Sequence, residues 1–333
     1  MDVTLISKFF TTEGTGIGSL SRSLVEGLNS IDTLNLKLLS VEDINFPLSQ
    51  FEYLYFIIQG SKKINSDKYK NSDVFHALTP LESFNTDKKK TVTSLMDFIA
   101  LKERNLSFRN KLLAKIYEKG IEHTIQSERI TVLNPDLAKT LAEKYGVDEN
   151  IIEVIPPPIA DNFYPKNEKH DIFTIGTLSS LGYRKRVHLL IKAFMEANIE
   201  NSQLLLAGTG PNMEEFKKMA SKDDRIKFLG FVPDEKINDF YNSLDVFVFP
   251  TSLEGYGMPM VEAMGAGKPV ITLNDAIIPS NLAKHTYATS INELPEILAN
   301  RTYKCDTKEN LKFYKEHSID KIASKYHKVY ESI

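Results

Sequence analysis

The chain has little of what several function classes require. Its 333 residues include a single cysteine, Cys305, which excludes an intramolecular disulfide and a cysteine-based zinc cluster. A chain without disulfides suits a reducing cytosol. Charge of neither sign dominates: 41 Lys and Arg stand against 44 Asp and Glu, so no global field draws the protein to nucleic acid. No apolar run approaches the roughly 20 residues of a membrane-spanning helix. The opening residues, Met1-Asp-Val-Thr-Leu-Ile-Ser, have no basic region and no long apolar stretch, and read as a first strand rather than a signal peptide. The expectation is a cytoplasmic protein, free or peripheral at a membrane face. No Asp-x-Asp pair occurs, which removes a common carboxylate clamp for a divalent cation on phosphates. The dinucleotide fingerprint Gly-x-Gly-x-x-Gly also fails. Glycines stand at 14, 16 and 18, but the third fingerprint position is Ser19, and Gly208-Thr-Gly-Pro lacks the pattern too. A Rossmann oxidoreductase is disfavoured on that ground.

What is present is ordinary globular composition, 42% apolar and 26% charged, over a length that favours two domains. Short apolar runs alternate with helical patterns. In the first half, strands are predicted at 3–7, 34–39, 53–58, 73–76, 91–95, 123–126 and 152–155, with helices at 18–28, 109–119 and 135–145. After Pro156-Pro-Pro158 and a polar stretch to His170 the rhythm restarts, with strands at 172–176, 203–207, 226–229, 246–249 and 270–272. Such alternation argues for α/β domains built on parallel sheets covered on both faces. The expected division is 1–160 and 161–333. The tail, 311–333, reads as helices with Tyr314, Ile319, Ile322 and Tyr326 on one side, able to pack back on the N-terminal domain.

The richest segment is 254–270, Glu-Gly-Tyr-Gly-Met-Pro-Met-Val-Glu-Ala-Met-Gly-Ala-Gly-Lys-Pro-Val. It follows a buried-strand pattern, Asp245-Val-Phe-Val-Phe-Pro, and precedes Val270-Ile-Thr. Glu254 is therefore expected on the loop leaving a strand, and Glu262 about one turn into the next helix. A loop-to-helix junction offers backbone N–H groups and a positive dipole end to an anion such as a diphosphate. A carboxylate on each side can accept hydrogen bonds from sugar hydroxyls. Upstream, Arg184, Lys185 and Arg186 precede a second predicted helix. Cations there oppose the helix dipole by about 0.3–1 kcal/mol each, a conflict that a bound anion removes.

These segments, with Phe228-Leu-Gly-Phe-Val, Glu13-Gly-Thr-Gly-Ile-Gly, Lys144-Tyr-Gly-Val, Val154-Ile-Pro and Leu205-Leu-Ala-Gly-Thr-Gly-Pro, resemble the retaining family 4 glycosyltransferases of the GT-B fold. The likeness is strongest over 172–272. It implies two Rossmann-like doubly wound domains facing across a cleft, and transfer of a sugar from a nucleotide-diphosphate donor to a hydroxyl acceptor. The acceptor would be a glycan, a lipid-linked sugar or a small molecule. By this resemblance Glu262 binds the donor ribose, Glu254 the donor sugar, and the amides of Gly255, Tyr256, Gly257 and Met258 the sugar and phosphates. Lys185 with Arg184 or Arg186 neutralises the leaving diphosphate. That pair matters here because the arginine common after the preceding strand's glycine is replaced by Thr177. Gly16 falls on the donor-phosphate and acceptor side, and Val232 lies near the contacts that select the base.

The missing Asp-x-Asp pair, with these cations, makes the expected mechanism metal-independent, with no cofactor beyond the sugar nucleotide. On the acceptor side relatives carry a His-Asp pair where this chain has Met96-Asp97, leaving Asp97 and His76 as candidates. The segment 104–119 is basic and amphipathic, and with Lys88-Lys-Lys90 it is a candidate for peripheral contact with anionic lipid. Two alternatives stay open: a non-catalytic sugar-nucleotide-binding protein of the same fold, and a sugar-nucleotide epimerase.

Overall fold

The computed structural model describes residues 1–12, 14–43, 52–84, 86–166 and 171–333, so Glu13 of the glycine-rich loop and the end of the polar stretch at 167–170 lie outside it. The chain divides into unit 1, Met1–Ile159 with His317–Ile333, and unit 2, Ala160–Glu316.

Unit 1 runs β1 (Asp2–Ile6), α1 (Gly16–Asn29), β2 (Asn35–Leu39), α2 (Glu52–Ile64), β3 (Val74–Ala77), β4 (Thr91–Leu95), α3 (Ile99–Lys102), α4 (Phe108–Thr124), β5 (Arg129–Val132), α5 (Pro135–Tyr145) and β6 (Ile152–Val154). Its six strands are parallel, in the order β2-β1-β3-β4-β5-β6. Unit 2 runs β7 (Phe173–Leu178), α6 (Val187–Ala197), β8 (Ser202–Ala207), α7 (Met213–Ala220), β9 (Ile226–Gly230), α8 (Asp234–Asn242), β10 (Val246–Phe249), α9 (Met258–Gly265), β11 (Val270–Leu273), α10 (Ser280–Ala283), β12 (Tyr287–Thr289), α11 (Leu294–Asn300) and α12 (Thr307–Lys315). Its sheet is parallel in the order β12-β11-β10-β7-β8-β9. The last helix, α13 (Ile319–Glu331), belongs to unit 1.

Local chemistry explains the helix ends. The Thr15 hydroxyl accepts from Gly18 N–H at 3.2 Å and starts α1. Asn134 caps α5, Pro135 occupies its first position, and Gly146 closes it in the left-handed region. Helix α1 buries Leu20, Leu24 and Leu28 at four-residue spacing, and α13 packs across it at Gly27. A Cβ on Gly27 would fall 2.8 Å from both Ala323 Cβ and Ile319 Cγ2, so this helix crossing requires glycine.

The structure corrects three sequence expectations. Residues 53–58 lie within α2 rather than in a strand. Phe56, Gly60 and Ile64 are buried at a spacing of four while Ile58 is 53% exposed, which is helical periodicity. Residues 123–126 finish α4 and its turn, and the strand follows at β5. The tail does not share one face: Tyr314 sits on α12 in unit 2, whereas Ile319, Ile322 and Tyr326 sit on α13 in unit 1.

In unit 1 the strand order reverses between β1 and β3; in unit 2 it reverses between β7 and β10. In open doubly wound sheets the crevice outside the carboxyl ends of the strands at such a reversal is where ligands bind.

Candidate active site

The two loops that leave the unit 2 reversal are the ones that the sequence marked. Strand β7 leads to a 3-10 turn, Tyr183–Lys185, and then to Arg186 at φ 52°, a left-handed conformation uncommon for a residue with a side chain. Strand β10 leads to the loop before α9. The two are stitched together: Ser252 N–H donates to Arg184 O at 2.9 Å, and the Ser252 hydroxyl donates to the same oxygen at 3.0 Å. On the other side Glu254 N–H donates to Ile277 O, and Ile277 N–H to Ser252 O, each at 2.9 Å.

The Glu254 carboxylate is held within this frame. Its Oε1 accepts from Lys185 Nζ at 2.6 Å and from the Thr251 hydroxyl at 2.6 Å, with Arg184 Nη1 at 3.4 Å. Arg184 also donates to Leu253 O at 2.5 Å. The Glu254 and Lys185 side chains are only 9% and 13% exposed. Burial pushes the Lys185 ammonium below its ordinary value, the nearby Glu254 charge pulls it back up, and Arg184 adds to the lowering. Arg186 pairs with Asp275, on the loop after β11, at 2.7 Å. Three basic side chains thus meet two carboxylates in this corner.

Helix α9 begins at Gly257, whose φ of 104° is open to glycine; a Cβ there would also fall 2.2 Å from Met260 Cε. Tyr256 and Met258, on either side of it, are buried, and Gly255 is half-buried. Glu262 is the fifth residue of α9 and is 9% exposed. Its Oε2 accepts from the Tyr241 hydroxyl at 2.8 Å. Burial pushes the Glu262 carboxyl up to about 7, against the pull of that hydroxyl. Two carboxylates eight positions apart therefore occupy different settings, one among cations and one in a mostly apolar wall.

The remaining predicted residues are less concentrated. Val232 is half-buried between β9 and α8. Gly16 is exposed at the start of α1, where a Cβ would meet nothing within 4 Å. Asp97 follows β4, and its Oδ1 accepts from Ile99 N–H at 2.8 Å, fixing the turn into α3. His76 is fully buried in the central strand β3. Its Nδ1 lies 2.7 Å from Tyr330 Oη, docking α13 on the sheet, and its Nε2 lies 2.8 Å from Ser94 Oγ on the neighbouring strand β4, so both nitrogens are used. That placement makes His76 a core residue rather than an acceptor-side group, because alternate positions of a central strand point under the covering helices.

Sequence reasoning passed over Thr251, Asp275 and Tyr241. Thr251 had a usable signal, a hydroxyl three positions before Glu254 in the loop already singled out. Tyr241 and Asp275 had none, since only the fold brings them to Glu262 and Arg186.

Comparison with known proteins bears on the family and the fold. Residues 159–293, which span most of unit 2, match the family described as Glycosyl transferases group 1. Over 190 residues the chain is 27% identical to mannosylfructose-phosphate synthase of Agrobacterium fabrum, covering 48% of this chain and 42% of that protein. It is 29% identical over 184 residues to O-antigen chain mannosyltransferase B of Escherichia coli, covering 52% and 47%. The chain thus spans less than half the length of these curated relatives. Among solved structures, sucrose-phosphate synthase from Thermosynechococcus elongatus superposes with a TM-score of 0.78 at 16% identity, covering 100% of this chain and 98% of that one. Anabaena HepE in complex with UDP and glucose superposes with a TM-score of 0.75 at 15% identity, covering 100% of both chains. These likenesses establish the GT-B fold expected from the sequence.

Proposed function

We infer from the group 1 glycosyl transferase domain at residues 159–293 that the chain transfers a sugar from a nucleotide-diphosphate donor to a hydroxyl acceptor, with retention at the anomeric carbon. The observation that carries this reading is the Lys185–Glu254–Arg184 cluster at the strand-order reversal of unit 2. In this reading Lys185, Arg184 and Arg186 neutralise the diphosphate as it leaves. Glu254 takes hydroxyls of the donor sugar, and Glu262 takes the ribose diol. The amides of Gly255 to Met258 line the sugar and phosphates. The donor phosphate itself serves as the base, which removes the need for a histidine where Met96 stands. HepE, solved with UDP and glucose, gives support for a sugar nucleotide as the ligand.

Fixed cations in place of a metal make the proposed transfer metal-independent. The acceptor belongs to unit 1, and we add a peripheral contact with anionic membrane for it. Leu106 and Phe108 are 73% and 85% exposed, Leu112 and Leu113 are 54% and 45% exposed, and exposed Lys102, Arg104, Lys111 and Lys115 surround them. No helix among the described residues is long and apolar enough to cross a membrane.

A thermal-shift screen of UDP, GDP, ADP and their sugars tests the donor. One nucleotude class should stabilise the protein well above the others. Transfer from that donor should survive EDTA. No stabilisation by any nucleotide would overturn the reading, and transfer lost to EDTA and restored by Mg²⁺ would overturn its metal independence.

A further inference from the structure

The strand-order reversal of unit 1 holds a buried acid that the proposed transfer does not use. Strand β1 ends at Ile6 and strand β3 at Ala77, side by side in the sheet, and a 3-10 turn, Pro80–Ser83, follows β3. Glu82 in that turn is 5% exposed. Its Oε1 accepts from Lys8 N–H at 3.0 Å, across the reversal and 74 positions along the chain. Its Oε2 is buried with no hydrogen-bond partner among the described residues. Burial pushes this carboxyl up to about 8, against the pull of the Lys8 amide and of hydrogen bonds from Thr79 and Ser7.

The segment that Glu82 grips leads into the glycine-rich loop. Ser7 N–H donates to Leu39 O at 3.2 Å, and Phe9 N–H donates to the Ser7 hydroxyl at 3.1 Å. Of these three successive amides, Lys8 is the one held by a side chain from another segment. Beyond it Arg22 Nη1 holds Thr12 O at 2.7 Å, and Thr15 caps α1. The turn carrying Glu82 is itself wedged against α4 at Gly120, where a Cβ would fall 2.9 Å from Leu81 Cδ2 and 3.1 Å from the Pro80 carbonyl carbon.

This one buried carboxyl thus ties the end of β1, through Ser7 and the Lys8 amide, to the turn after β3, through Thr79. An apolar side chain in its place would leave the Lys8 amide without this acceptor. A buried acid that spans the two strand ends at the reversal points to a task in placing the loop. We propose that Glu82 is a positioning residue, holding Lys8–Thr12 in the conformation that presents the start of α1 to a polar, hydroxyl-bearing ligand at the unit 1 sheet edge. The assignment of that ligand as the acceptor rests on the transferase reading; the positioning of the loop does not.

The test is amide hydrogen exchange on the intact protein, with wild type compared with Glu82→Gln and Glu82→Leu. Gln keeps an acceptor oxygen for Lys8 N–H, and Leu removes it without leaving a buried polar group on the side chain. Glu82→Leu should speed exchange over Lys8–Thr12 at least tenfold while β4 and β5 exchange as in wild type. Glu82→Gln should restore wild-type protection within about threefold. Unchanged exchange over Lys8–Thr12 in Glu82→Leu, faster exchange spread evenly through unit 1, or failure of Gln to rescue would each overturn the proposal. The same samples are titrated with UDP and GDP. A wild-type protein that answers neither nucleotide would count against the transferase reading and leave the exchange result intact.

Discussion

Lys185 Nζ lies 2.6 Å from Glu254 Oε1, although 69 positions separate the two residues, and both side chains are nearly buried. A lysine taken out of water tends to lose its proton unless a carboxylate stands beside it. Glu254 therefore works against the effect of burial on Lys185 and holds its ammonium in place by a direct hydrogen bond.

Glu254→Ala should accordingly destabilise the fold by about 3 kcal/mol, because it strands a buried charge. Lys185→Met should cost less, and the double variant should show a coupling of about 0.5–3 kcal/mol in urea unfolding. Additive single effects would contradict the pairing. Turnover of Glu254→Ala should fall about a hundredfold if the corner stabilises the leaving diphosphate.

Glu262 gives a pH signature. Its folded value, about 7, lies above the ordinary 4.5, so the folded protein holds that proton more tightly than the unfolded chain. Its contribution to stability is full below about pH 4.5 and declines as pH rises through 7. Glu262→Gln should flatten the Tm-against-pH curve between those limits; parallel curves would show that the carboxyl is ionised throughout. Glu262→Ala should also weaken donor nucleotide by about 1–3 kcal/mol, as the diol loses its acceptors.

His76 should behave as a packing residue. His76→Ala leaves the Tyr330 hydroxyl and Ser94 Oγ short of a partner, at about 1–3 kcal/mol for each group. The thermal shift produced by nucleotide should persist in that variant. Burial holds the imidazole down to about 3, so its contribution to stability is present above about pH 6.5 and is lost as pH falls toward 3. Acid unfolding should therefore move to lower pH in His76→Phe.

The exposed face of α3 and α4 should carry the protein to vesicles. Wild type should float with phosphatidylglycerol vesicles at low salt and release at high salt. Phe108→Glu with Leu112→Glu should abolish flotation and leave nucleotide binding intact. Absence of wild-type flotation at low salt would retire the membrane contact.

Much of the fold was written in local pattern. Strand β10 is a continuous apolar run because both faces of a parallel sheet are covered, and α5 announces itself by Asn134, Pro135 and Gly146. The run at 53–58 misled because a short apolar segment fits a buried strand or a helix equally well until its partners are known. In the candidate site, Glu254, Glu262 and the three cations were legible because one strand-loop-helix and one turn concentrate them.

By itself the sequence determined two α/β units, the corner that bears the two carboxylates, and the basic turn that serves it. Periodicity and capping are local properties that act within a few residues. Only the tertiary structure decided that Lys185 belongs to Glu254, that Tyr241 meets Glu262, that His76 is spent on Tyr330, and that Glu82 reaches Lys8. Those pairs join segments 21 to 254 positions apart. They exist because strand order and helix packing set which loops, helices and strands lie side by side, and no local pattern encodes that order.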